Sequence, residues 1–343
     1  MTNMDRRRMV KAGIATGIAT VMGSLAHPGK ARADVTPISL KLANDLPFSH
    51  PNTIRTQEAI ERIHKEAGGL VHIDLFPNNQ MGGDSDMLSQ LRSGALELFL
   101  CTGQLLSTLV PSVSIYGVSY ALTDYDTVWR AMDGELGAAV RNATGKAGIH
   151  VFDKMWDAGF RHIAANPHPI RTPDDLQGFK IRVPISPLWT STFTALGAAP
   201  TSIPFSQVYS AMETHLVDGQ DVSLAGLESA KFYEVVKYAS LTRHMWEGFL
   251  LLANRRVWQT LTPNLQEIVS RNLNAAAVAA RDDIMKQEET LQVTLTKQGM
   301  VFNTPPPQPF RDTLKRAGYY TTWKAKYGNE AWSLLEKFTG PLT

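Results

Sequence analysis

Residues 70–101, LVHIDLFPNNQMGGDSDMLSQLRSGALELFLC, hold two short apolar runs with a polar, helix-forming segment between them. In the first run Val71, Ile73 and Leu75 share one face, and His72 and Asp74 share the other, the two-residue period of a strand. The segment DSDMLSQLRSG opens on acids and closes on glycine, as a short helix does. The second run, ALELFLC, is too apolar for a strand with one wet face. Strand, helix and strand within about thirty residues specify parallel pairing with a helical crossover.

Upstream, ISLKLAND at 38–45 reads as a strand. Residues 50–69 read as a helix with Pro51 in its first turn and with Ile54, Ile60 and Ile63 along one side. The second half of the chain repeats this order. TPDDLQG at 172–178 carries an N-cap threonine, a proline in the first helical position and Asp175. It leads into the strand FKIRVP, the helix SPLWTSTFTALG, the strand AAPTSIP, the helix FSQVYSAMETHL and the strand VDGQDVS. From Thr262 a helical pattern runs to about residue 298, about 54 Å at 1.5 Å per residue, long enough to brace two lobes. The expected fold class is α/β, with mixed sheets and helices on both faces.

The amino terminus sets the compartment. DRRRMVK at 5–11 precedes a mildly apolar run and an ARA exit, the order of an export signal. That run is too short to span a bilayer. Arg6 and Arg7 resemble the twin-arginine signal of bacteria, and cleavage is expected after Ala33. The whole chain has 34 Lys and Arg against 32 Asp and Glu. Without residues 1–33 the balance becomes 28 against 31, so +2 becomes −3. A weakly acidic chain argues against nucleic acid as a partner. The single cysteine, Cys101, excludes an internal disulfide and reads as a buried small side chain. About 310 remaining residues fit two lobes better than one. With no low-complexity linker in the sequence, strands must cross between the lobes.

Catalytic and metal motifs are missing. Nine histidines include no pair at helical spacing and no H-E-x-x-H, and no phosphate loop or dinucleotide fingerprint occurs. GVSYA at 117–121 ends in alanine where a nucleophile elbow needs glycine. No cofactor or metal is expected. Binding chemistry remains. In GFKIRVP at 178–184, Arg182 stands at the carboxyl end of its strand, where crevices open in α/β sheets, and a guanidinium matches a carboxylate in a bidentate fork. A surface arginine reaching water fits the same strand equally well. Arg161, after Trp156 and Phe160, lies in another extended, aromatic segment.

LKLANDLPFSHP, WDAGFRHIAANPHPIRTPDDLQGFKIRVP, LGAAPTSIPFSQVYSAMETHLVDGQD and LLLANRRVWQTLTPNLQEI occur in that order. Together with 68–98 they resemble the substrate-binding subunits of tripartite ATP-independent periplasmic (TRAP) transporters, of the dicarboxylate-binding type. The resemblance spans nearly all of the chain beyond residue 33. It implies a periplasmic two-lobed clamshell that is no enzyme, captures a small organic acid and delivers it to membrane permease subunits driven by an ion gradient. A ligand-binding adaptor for a membrane sensor kinase would use the same fold, and a periplasmic enzyme on small acids is the third alternative.

On that resemblance Arg182 is the carboxylate clamp, Arg161 supports it, and Phe205 forms an apolar wall. Asn44 and Thr102 end strands facing the cleft, and Trp156 and Trp246 are weaker ligand candidates. Val222 and Ser223 stand where many members have Asn-Pro after V-D-G-Q and Glu, so a polar ligand contact is lost. SIYGVSYAL also lacks the proline usual there. The expected ligand is therefore a monocarboxylate or keto acid with an apolar tail near Val222, Phe205 and Trp156. The expected lobes are 34–158 with 248–287, and 159–247 with 288–343, joined by the helix at about 263–298.

Overall fold

The computed structural model describes residues 37–343; the leader expected at 1–33 lies outside the described residues. Ten strands form one mixed sheet: β1 (Ile38–Ala43), β2 (Val71–Phe76), β3 (Leu98–Thr102), β4 (Ile149–Val151), β5 (Trp156–Ala165), β6 (Lys180–Val183), β7 (Ala199–Ser202), β8 (Gly219–Ser223), β9 (Tyr238–Asn254) and β10 (Val301–Asn303). Their order is β2-β1-β3-β9-β5-β8-β6-β7, with β4 and β10 also on β9. At one end β2 and β3 flank β1 in parallel, and at the other β7 and β8 flank β6 in parallel. Between them run β5 and β9, antiparallel to each other, joining the two parallel ends of the sheet.

The β5–β9 pairing slips between Asp157 and Gly159 and again between Arg161 and Ile163. Such bulges bend a strand and re-aim its side chains. Gly159 has φ +84°, a left-handed conformation that other residues enter at a cost, and a β-carbon there would stand 3.2 Å from Glu288 Oε1. The slip therefore needs glycine.

Helix Pro263–Lys297 braces the halves. Val269, Leu273, Ala276, Ala277 and Ala280 pack in the core with Ala59 and Ile63 of helix Pro51–Glu66. At the far end Leu291 and Leu295 join a separate core with Val208, Met212 and Leu227. Of the isoleucines expected along one side of the first helix, Ile60 and Ile63 are buried and Ile54 is exposed. Six residues turn an α-helix through 600°, which leaves Ile54 about 120° from Ile60. Residues 173–176 form a single 3-10 turn whose Asp175 caps Thr172. Cys101 is buried. The carboxyl-terminal helices touch both halves: Tyr327 hydrogen-bonds Ser114, and Tyr319 receives a hydrogen bond from Thr192. Among the described residues no helix is long and apolar enough to cross a membrane.

Candidate functional site

One cavity gathers the carboxyl ends of strands from both halves of the sheet. Thr102 ends β3 and Asp45 lies just beyond β1; Pro184 and Ile185 follow β6, Phe205 follows β7, and Ser223 ends β8. Arg161 enters from β5, Glu247 and Phe249 from β9, and Asp84 from the start of helix Asp84–Ser93. Parallel strands open their ligand crevices at this end. The space is small, about 40 Å³.

Arg182 is 1% exposed, which removes the surface reading. Its side chain stands out from the sheet, beside Ile203 and among Phe205 and the other cavity residues. Its Nε donates to the Ile203 carbonyl at 2.9 Å, fixing the guanidinium, and its Nη1 has no partner. The Phe205 ring lies 5.9 Å from its Cζ. Burial, then the Arg161 charge, pulls its pKa down to about 10. The group stays cationic at neutral pH, but the fold does not solvate it well.

Arg161 is neutralised where it stands. Its Nε donates to Asp221 Oδ1 at 2.6 Å and an Nη to the Asp221 carbonyl at 3.0 Å. Trp189 Nε1 donates to Asp221 Oδ2 at 2.7 Å, and His244 Nε2 lies 2.9 Å from the same oxygen. Burial alone would raise the Asp221 pKa; Arg161 and His244 instead hold it down to about 2. Of two neighbouring arginines, one has its own carboxylate and the other has a free donor. The pair can bind one anion, with Arg182 making the direct contact.

Three acids line the same cavity. Glu247 is fully buried, and burial raises it to about 8 although Arg161, Tyr116 and the Gly248 amide oppose the rise. Burial also raises Asp45, which the nearby Asp84 carboxyl pushes further, and raises Asp84 itself.

The cavity brings together four of the expected residues: Arg182, Arg161, Phe205 and Thr102. Asn44 is buried beside it, its Oδ1 accepting from the Leu46 amide at 2.9 Å. Trp156 packs in the core with Phe249. Trp246 is equally buried, donating to Asp157 Oδ1 at 2.9 Å and meeting Trp129 edge to face. Val222 packs with Ala164 and Leu224, and Ser223, its neighbour, reaches the cavity instead. Asp45, Asp84, Glu247, Asp221 and Trp189 were not singled out in the sequence. Asp45 follows Asn44 at a strand end, which was a usable signal; Glu247, inside a long apolar strand, offered only the oddity of an acid there.

A family model described as bacterial extracellular solute-binding protein, family 7, matches residues 42–320. A C4-dicarboxylate-binding periplasmic protein of Rhodobacter capsulatus is 28% identical over 255 residues, covering 74% of this chain and 75% of its own. A solved TRAP periplasmic solute-binding protein from Sulfurospirillum deleyianum, with bound succinate, is 25% identical. It superposes with a TM-score of 0.83 over 89% of this chain and 99% of that one. Another, from a Sulfitobacter species with bound β-D-galacturonate, gives the same score and identity over 89% and 100%.

Proposed function

Because the chain belongs to the family 7 bacterial extracellular solute-binding proteins, which work with TRAP transporters, we propose that its cavity captures a small organic acid by the carboxylate and hands it to a permease. One observation carries the assignment of the site: the partnerless Nη1 of a buried Arg182 beside an Arg161 already paired with Asp221. A buried cation with a free donor is costly until an anion supplies the missing acceptor. Succinate and galacturonate, the ligands of the two related structures, have in common a carboxylate. Proteins of this family bind solutes for transport and do not transform them.

Arg182 is the clamp in this reading, and Arg161 is held by Asp221 as a second charge behind it. Thr102 and Phe205 line the bound acid. Leu46, Leu105, Ile185 and Phe249 also line the cavity, and their apolar surface favours a monocarboxylate or keto acid with an apolar body over a four-carbon dicarboxylate. Asn44, Trp156, Trp246 and Val222 support the walls from behind. We place the hinge at the slip between Asp157 and Gly159, opposite Gly248 and Glu247. Those positions adjoin the 158/159 and 247/248 lobe boundaries, and the lobes would close on the ligand there, as hinged domains do.

The purified protein, denatured and read by mass spectrometry, is expected to release a small monocarboxylic acid that restores a thermal shift when added back. Stabilisation by succinate, malate and fumarate, with none from branched or aryl keto acids, would sink the preference for an apolar body. Periplasmic location follows from the family. We read Arg6 and Arg7 as its twin-arginine signal, so a chain carrying Arg6→Lys and Arg7→Lys is expected to stay in the cytoplasmic fraction. Normal export of that chain would refute the signal assignment.

A further inference from the structure

A groove of about 680 Å³ adjoins the cavity, and Ile185 lines both. Thr108, which follows β3, and Ser202, which ends β7, line it too, so its walls come from both parallel ends of the sheet. Ser186, Thr190, Thr194 and Thr322 add hydroxyl side chains, and no acid lines it. Helices Pro307–Arg316 and Tyr319–Tyr327 border it through Ala317, Tyr319 and Thr322. Residues 307–328 hold five Lys and Arg against one Asp, whereas the rest of the chain beyond residue 33 holds 23 against 30. Lys315 and Arg316 are exposed and directly precede Ala317. Lys326 stands four residues from Thr322, hence on the same helix face, and its Nζ lies 4.2 Å from the centre of the Trp323 ring. Trp323 Nε1 in turn donates to Ser191 Oγ, another groove residue, at 3.0 Å. None of the five cations is ion-paired among the described residues.

We infer that this groove is the route by which an anionic ligand approaches the cavity, and that the basic helix pair speeds capture by drawing anions to it. The inference rests on the carboxylate-capture reading and adds a role for residues outside the cavity. Beyond residue 33 the chain carries −3, a charge that repels an anion at a distance. Five cations gathered beside one groove reverse that field locally, and a surface of one sign raises the concentration of the opposite ion and its rate of association. Exposed charges of this kind act on encounter, whereas a buried, hydrogen-bonded cation such as Arg182 acts on dissociation. The lining suits passage, because hydroxyls can donate to a carboxylate without the charge that would hold it short of Arg182. A second groove meets the cavity at Phe205, and Lys231 is the cation that lines it. There Tyr209, also in the lining, donates to Glu234 at 2.9 Å, so an acid offsets that lysine.

Stopped-flow mixing of the purified protein with 4-methyl-2-oxopentanoate and with succinate tests this, read by tryptophan emission, since Trp189 lines the cavity. Lys315→Glu combined with Arg316→Glu is expected to lower the association rate constant by about fivefold at about 0.01 M salt, where the Debye length is about 30 Å. Lys326→Glu alone is expected to lower it by about twofold, and neither variant should change the dissociation rate. Both differences should vanish at about 1 M salt, where that length is about 3 Å. Lys65 and Lys297 are exposed and belong to helices that do not line the groove. Reversing both makes the same change in net charge and should leave association within about 1.5-fold of the wild type. Equal slowing by that control overturns the inference, because net charge and not its place would then be at work. Greater slowing by Lys231→Glu than by Lys326→Glu also overturns it, by moving the approach to the groove at Phe205. Unchanged association in every variant overturns it and leaves carboxylate capture standing. No binding of either acid by calorimetry, with Arg182→Ala equally silent, counts against the inference and against carboxylate capture together.

Discussion

Arg182→Ala is expected to abolish measurable ligand binding while costing the empty protein little stability. The two halves of that result come from one fact. The fold depresses the Arg182 pKa to about 10 because burial penalises its charge, so the empty protein loses little when the cation is removed, apart from one hydrogen bond to the Ile203 carbonyl. The bound protein would lose the cation in direct contact with a desolvated carboxylate. An uncompensated buried charge costs about 3–5 kcal/mol, which is roughly two to nearly four decades of affinity at about 1.4 kcal/mol per decade. Arg182→Lys is expected to bind poorly as well, since a point charge cannot reproduce the planar fork. Titration calorimetry with the co-purified acid reads the affinity, and thermal unfolding without ligand reads the stability. Affinity retained within about threefold, under 1 kcal/mol, would remove Arg182 from the site.

How much of this was legible in the sequence depends on the range of the interaction. β1, β2, β3 and β6 announced themselves because alternation, caps and glycine stops are local, and the long helix was visible because nothing in residues 263–297 breaks it. Arg182 could be found for the same reason: its place before Pro184 at a strand end is a local fact. Its burial was not, because it depends on Phe205 and other cavity residues arriving from distant elements, which no local pattern reports. Trp156 and Trp246 show the converse. Aromatic size made them attractive, and their strands turned both into the core, where Trp246 spends its indole N–H on Asp157. Attention to Val222 missed by one residue in each direction. Asp221 organises Arg161, and Ser223 reaches the cavity. A register slip in β5 between Arg161 and Ile163 helps decide which side chain faces in, and such a slip has no sequence signature beyond a glycine nearby.

Asp221 is the residue whose loss should damage the fold most. Asp221→Ala would strip Arg161 of its carboxylate and leave Trp189 Nε1 and His244 Nε2 without their shared acceptor, all in a region closed to water. Removing one member of a buried ion pair costs about 3–5 kcal/mol. At about 2–4 °C per kcal/mol for chains of 150–250 residues, the thermal midpoint should fall by roughly 6–20 °C. Asp221→Asn keeps the shape and one acceptor, so it should fall less, and the difference between the two variants measures geometry apart from charge. The pH dependence has a definite sign. The folded pKa, about 2, lies below the ordinary 3.8, so the stabilisation is fully present above 3.8 and is lost as the pH falls toward 2. The wild type should therefore lose stability steeply across that window, and Asp221→Asn should lose less of it there. Parallel acid limbs in the two proteins would mean that Asp221 is not held as a carboxylate. With Asp221 intact, Arg161 has its counter-charge inside the fold, and this pairing is what leaves Arg182 free for a ligand.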